Sequence, residues 1–230
     1  MIKKSFIAIF ICFLFVVISS CTLEPFDSQK ESFENQVQED VEETVVENVS
    51  KLFSTETDDG TFVFETNDSK YLKKTGYTIW TTNKSNTSNN FEIINCEMYK
   101  TSGKTEAGYG VVFCQQIIND EEYMLCVMIN TVGQYIIGNI VNGKFQTIEG
   151  WNACTFLNRG YGVINQLCIS FDDETQYFSV KINGEIVSEF RVKEEIIFEN
   201  TKSGYVVVIS NLENFPQKNV RVVFKEVVIE

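Results

Sequence analysis

Residues 165–192 begin Asn165-Gln166-Leu167-Cys168-Ile169-Ser170-Phe171, then Asp172-Asp173-Glu174-Thr175-Gln176, then Tyr177-Phe178-Ser179-Val180-Lys181-Ile182. Asn183-Gly184 follows, and a further β-prone run extends from Ile186 to Val192. Leu167, Ile169 and Phe171 share one parity, as do Phe178, Val180 and Ile182, while Cys168, Ser170, Ser179 and Lys181 occupy the other. A period of two with one apolar parity is the signature of a half-buried strand. Asn-Gly supplies the two positive φ angles of a tight hairpin turn, so the second and third runs are predicted to pair antiparallel.

The same grammar extends through the chain. Short β-prone runs include Phe62-Val63-Phe64, Tyr77 to Trp80, Phe91 to Ile94, Val111 to Phe113, Tyr123 to Ile129 and Gln134 to Val141. They continue with Phe145 to Ile148, Tyr205 to Ser210 and Val220 to Ile229, and Asn142-Gly143 marks a second hairpin. Eleven or twelve strands with little helical periodicity predict a single all-β, antiparallel β-sandwich over residues 52–230. The Thr81–Asn90 stretch, rich in Thr, Asn and Ser, reads as a long exposed loop. A turn centred on Asp120 would place Cys114 opposite Cys126, both on the face away from the core, as a cross-strand thiol pair within disulfide reach.

Ahead of this domain stands a targeting segment, residues 1–20. Lys3 and Lys4 are followed by an uncharged, almost wholly apolar run from Phe6 to Ile18, and then by Ile18-Ser19-Ser20-Cys21. The apolar run is shorter than the roughly 20 residues a spanning helix requires. The pattern resembles a bacterial lipobox, which implies lipidation of Cys21 and export, with the outer membrane or cell surface favoured over the inner membrane. The alternative is an ordinary signal peptide with a chance cysteine, or an uncleaved anchor.

Residues 21–51 read as an acidic tether. Between Thr22 and Ser50 there are nine acidic residues and one lysine, with no sustained apolar face. Such a segment cannot bury enough apolar area to offset its chain entropy. The alternative is a short helix in which Val41, Val45, Val49 and Leu52 share a face.

Removing residues 1–20 takes away Lys3 and Lys4 and moves the formal charge from −13 to −15. This balance leaves no basic stripe to displace phosphate counterions and argues against nucleic acid as a partner. Five cysteines follow Cys21 without a CxxC pair, and the chain has no histidine. The usual zinc sites are therefore not expected, and a Ser-His-Asp or Cys-His arrangement is excluded.

The run Gly108-Tyr109-Gly110-Val111-Val112-Phe113 is followed by Tyr123-Met124-Leu125, Gly133-Gln134-Tyr135, Gly138, Val141-Asn142-Gly143-Lys144-Phe145 and Trp151. Asn165-Gln166-Leu167, Val180-Lys181-Ile182-Asn183-Gly184 and Val220-Arg221-Val222-Val223-Phe224 come later. In order and spacing this resembles the concanavalin A-like, or laminin G-like, jelly roll of many exported bacterial proteins. The resemblance spans about Phe53 to Glu230. It implies two facing antiparallel sheets, one of them concave, with ligands in the concave groove or at its loop rim. Its members include sugar-binding modules, glycosidases and domains without a known ligand, so function must come from a site.

Candidate ligand platforms are Trp80, Tyr109, Tyr135, Trp151 and Tyr161, rings near turns, loops or glycines that could stack on sugars; the opposing reading makes them core or sheet-edge fillers. Asp172-Asp173-Glu174 reads as a solvated turn in preference to a calcium site. No strand carries the Glu-x-Asp-x-x-Glu run of related glucanases, and the dense Glu39-Asp40-Val41-Glu42-Glu43 lies in the tether. The leading expectation is non-catalytic, cofactor-free recognition of a glycan or envelope polymer. A structural or assembly lipoprotein that binds another protein is second, and a glycoside hydrolase third.

Overall fold

The computed structural model describes residues 53–56, 60–67, 77–85, 92–193, 201–210 and 219–226. The expected targeting segment at 1–20, Cys21 and the expected tether at 21–51 lie outside the described residues. Thirteen strands appear among the described residues: β1 Phe53–Glu56, β2 Thr61–Thr66, β3 Tyr77–Ser85, β4 Glu92–Ser102, β5 Tyr109–Ile118, β6 Glu121–Ile129 and β7 Gln134–Val141. They continue as β8 Lys144–Ala153, β9 Asn165–Asp172, β10 Tyr177–Ile182, β11 Glu185–Phe190, β12 Lys202–Ile209 and β13 Val220–Glu226. The stretch after Trp80, read as a loop, is strand as far as Ser85 and pairs with β12.

The strands form a seven-stranded sheet, β1-β2-β13-β4-β9-β10-β11, and a six-stranded sheet, β3-β12-β5-β6-β7-β8. Every neighbouring pair is antiparallel. Each sheet mixes strands from distant parts of the chain, giving the jelly-roll sandwich. The predicted parity holds: Leu167, Ile169, Phe178, Val180 and Ile182 are buried between the sheets, with Phe171 packed at the margin. Ring contacts join the two layers, with Phe113 of β5 at 5.8 Å from Phe178 of β10 and Tyr205 of β12 at 4.5 Å from Phe224 of β13. Both Asn-Gly hairpins form, with positive φ at Asn142, Gly143, Asn183 and Gly184.

The β5–β6 hairpin departs from the expected register. Its turn is Asn119-Asp120, both at positive φ, so Ile118 faces Glu121. A bulge at Cys114-Gln115 then shifts the ladder, and Val112, not Cys114, faces Cys126. Cys114 sits at φ 55° and joins the core between the sheets, while Cys126 belongs to the outer-face cluster. The expected thiol pair is therefore corrected: two residues opposing one re-aim the bulged side chain, and both thiols are free. Burial pushes both far above the ordinary thiol range, which makes them inert small hydrophobes.

Strands β6 and β7 are buried on both faces, as their near-continuous apolar runs require. The outer face of the six-stranded sheet carries a second cluster that includes Val112, Met124, Cys126, Met128, Ile136, Ile140, Val206 and Val208. Phe145 and Trp151 of β8 belong to it, and no member is more than 8 % exposed. This face is a second core layer, not the open groove that the fold resemblance implies as one binding surface.

Candidate functional site

The sequence-predicted rings divide by burial. Tyr109, Tyr135 and Trp151 are buried and are corrected from ligand platforms to packing residues. Tyr109 lies in the inter-sheet core, where burial pushes its hydroxyl well up. Tyr135 donates its hydroxyl to the Val187 carbonyl at 2.9 Å, tying the six-stranded sheet to β11 across the sandwich edge. Trp151 lies against Gly108 and Met128, and its buried indole N–H has no acceptor among the described residues. The backbone of Trp80 pairs with Val206, and its side chain lies outside the described residues. Of the four candidate rings among the described side chains, Tyr161 reaches the surface.

Tyr161 sits in the loop between β8 and β9, residues 154–164, at the end of the sandwich where four connections meet. The other three are the β4–β5 turn at 103–108, the β6–β7 turn at 130–133 and the Asn183-Gly184 hairpin. Hydrogen bonds lock them together. Thr131 donates its backbone N–H and its hydroxyl to Thr105 O, at 3.1 and 2.9 Å. Gly160 N–H donates to Thr131 O, Gly162 N–H to Lys100 O, and the Tyr161 hydroxyl to Gly103 O. An asparagine cluster fixes the rest. Asn165 Oδ1 accepts from Asn158 N–H at 2.8 Å and from Asn183 Nδ2 at 2.9 Å, and Asn183 Nδ2 also donates to Phe156 O.

These constraints hold apolar side chains in water. Val132, Phe156 at 47 %, Tyr161, Ile164 at 50 % and Ile186 at 54 % exposure all lie on or beside these connections. They are five of the eight exposed large hydrophobic side chains among the described residues, so exposed apolar area concentrates at this end. Scattered exposed hydrophobes need no explanation, but a clustered set on rigid loops marks an interaction site. Tyr161 was legible in the sequence and Val132, Phe156, Ile164 and Ile186 were not; for Phe156 and Ile164 the available signal was the company of Leu157, Tyr161 and Val163 among the glycines and asparagines of residues 154–165.

The opposite end carries a cleft of about 310 Å³ lined by Ser170, Asp172, Tyr177, Ser179 and Glu189. Arg191 lies over the Tyr177 ring at 4.2 Å, so one face of that ring is already covered. Asp172 Oδ1 accepts from the N–H groups of Glu174 and Thr175 at 2.9 and 3.3 Å. Hydrogen bonding from Thr175, with that of Glu174, holds its carboxyl below the usual range. The carboxylate closes the β9–β10 turn, and among the described residues no cluster of three His, Cys, Asp or Glu side chains could hold a metal.

No family model matches the chain, and no curated protein matches it. Solved structures with a similar arrangement include the carbohydrate binding module CBM66 from Bacillus subtilis, at 11% identity and a TM-score of 0.40, covering 64% of this chain and 91% of that one. The catalytic domain of an endo-1,3-beta-glucanase (laminarinase) from Thermotoga petrophila matches at 12% identity and a TM-score of 0.45, covering 77% and 79%. The Bacillus licheniformis beta-glucanase matches at 7% identity and a TM-score of 0.46, covering 77% and 81%. Superpositions this loose carry no argument about function, and the jelly-roll assignment stands on the strand order and register above.

Proposed function

We propose that this chain is an exported lipoprotein, anchored through Cys21, whose sandwich recognises a glycan or other envelope polymer without catalysis or cofactor. The observation that carries the reading is the gathering of Phe156, Tyr161, Val132, Ile164 and Ile186 on four hydrogen-bonded connections at one end of the fold. Loops already fixed in shape give up little conformational entropy on binding, and aromatic rings offer flat faces for sugar stacking. The aliphatic members of the set favour a second reading, a protein partner in the envelope, because branched aliphatic side chains pack on protein better than on a sugar face.

Two experiments test this reading. On a glycan array, the full chain in mild detergent is expected to bind at least one envelope polysaccharide, and the double substitution Phe156→Ser with Tyr161→Ser to weaken that binding about tenfold or more. Binding unchanged in the double variant would remove the loop end as the site. Binding to an envelope protein with no glycan signal would select the second reading. For the anchor, Cys21→Ala is expected to leave an unprocessed precursor that takes up no palmitate analogue, and normal processing with labelling would refute lipidation there.

A further inference from the structure

Lys100 lies on the core face of β4 in line with Cys96, Met98 and Ser102, and its side chain is fully buried. Its Nζ donates to the carbonyls of Lys104 at 2.6 Å and Ala107 at 2.9 Å, spanning the β4–β5 turn from inside. The Tyr109 ring centroid stands 6.0 Å from it. The packing is close: a Cβ added to Gly103 would meet Lys100 Cε at 3.0 Å.

Among the described residues, the charged and titratable groups around this amine are few. The turn contributes Glu106, an exposed carboxylate that favours the ammonium from a distance, and Lys104, which reaches Nζ through its carbonyl. Strand β5 contributes Tyr109, kept neutral by burial, and the 154–164 loop contributes Tyr161, whose hydroxyl is pushed up by burial and by Glu106. Arg159 of that loop lies against Gly133. Strand β13 places Val220 and Val222 beside the site, and its Arg221 is engaged with Glu65 at 3.3 Å. Strand β9 contributes Asn165. Among the described residues no carboxylate lies within ion-pair distance of Lys100.

Two carbonyls satisfy the two N–H donors of a neutral amine, whereas an ammonium brings a third donor and a full charge into a site where no described residue supplies a counter-ion. The turn that Lys100 spans is also the junction of the loop end. Gly103 O accepts from Tyr161, Thr105 O from Thr131, and Glu106 O from Asn130 Nδ2 at 3.4 Å.

We propose that Lys100 is an acid-sensitive latch: as a neutral amine it pins the 103–107 turn, and its protonation loosens that turn and the loops bonded to it. Burial lowers the amine from 10.5 to about 7, with Glu106 opposing weakly. An opened or unfolded chain takes up the proton at the ordinary lysine value. Opening is therefore increasingly favoured as pH falls from about 10.5 to about 7, and levels off below 7, where the closed form is also protonated. The consequence for ligand capture rests on the recognition reading above; the titration does not.

The test uses the full chain in mild detergent. With lysine ε-carbons labelled, one NMR resonance, absent from Lys100→Met, is expected to titrate near 7. Amide protection at 103–107, 130–133 and 158–162, corrected for intrinsic exchange, is expected to fall by up to about tenfold per pH unit from 9 to 7. Lys100→Met is expected to remove that slope. Every lysine titrating near its ordinary value would overturn the latch, and so would loop protection independent of pH or equally pH-dependent in a folded Lys100→Met. The wild-type titration decides the matter if that variant fails to fold. Loss of glycan binding with the titration intact would count against the recognition reading alone.

Discussion

Gly110→Ala is expected to prevent the protein from folding stably. Gly110 lies in β5, the strand that joins β12 to the β6–β8 meander, and pairs with Met128 on one side and Val206 on the other. A Cβ there would stand 2.0 Å from the Val127 carbonyl oxygen and 2.7 Å from Met128 Cα. Both are backbone atoms of β6, so no side-chain rotation relieves the clash, and β5 and β6 would have to separate. A strained or overpacked core site costs about 1–3 kcal/mol when side chains can yield, and more when they cannot. We expect a loss of about 4 kcal/mol or more, a large part of the roughly 5–15 kcal/mol that holds a domain of this size. Urea unfolding checks it, with soluble yield as a second reading. A variant within about 0.5 kcal/mol of the parent would mean that β5 and β6 are not paired as described.

Phe178→Ala is the second large effect. The Phe178 ring is wholly buried and stands 5.8 Å from Phe113 of the facing sheet, 4.8 Å from Phe171 and 5.3 Å from Phe190. Truncation removes a ring that bridges the sheets and leaves a cavity walled by three other rings, which cannot collapse without moving strands. The expected cost is about 3–5 kcal/mol. The adjacent Tyr177 points to solvent and contacts Arg191, so Tyr177→Ala is expected to cost about 1 kcal/mol or less. Equal costs at the two positions would contradict the assignment of faces.

How much of this was legible in the sequence varied with how local the cause was. The β9–β10–β11 unit followed from alternation and from Asn183-Gly184, because both signals lie within the unit that folds. The β5–β6 hairpin was legible too, but its register was not, because the Cys114-Gln115 bulge has no glycine to mark it. Tyr109, Tyr135 and Trp151 failed as ligand candidates for a physical reason of the same kind. Glycines beside aromatics were read as turns that carry rings outward, yet some are sockets that receive rings. A Cβ at Gly138 would meet Phe145 Cζ at 2.4 Å, and one at Gly108 would meet Trp151 Cη2 at 3.1 Å. Ile186 was not legible with Phe156 and Ile164, because it is the Asn183 bonds to Asn165 Oδ1 and Phe156 O that tie the β10–β11 hairpin to the 154–164 loop.

The recognition claim is tested most directly by amide hydrogen exchange of the full chain, with and without a saturating envelope polymer that binds on the array. Protection is expected to rise at 130–133, 154–164 and 183–186, the connections that hold Val132, Phe156, Tyr161, Ile164 and Ile186, and to stay unchanged at the 172–176 turn of the opposite end. Protection confined to the 172–176 cleft or to the outer face of the six-stranded sheet, with the loop end unchanged, would contradict the account.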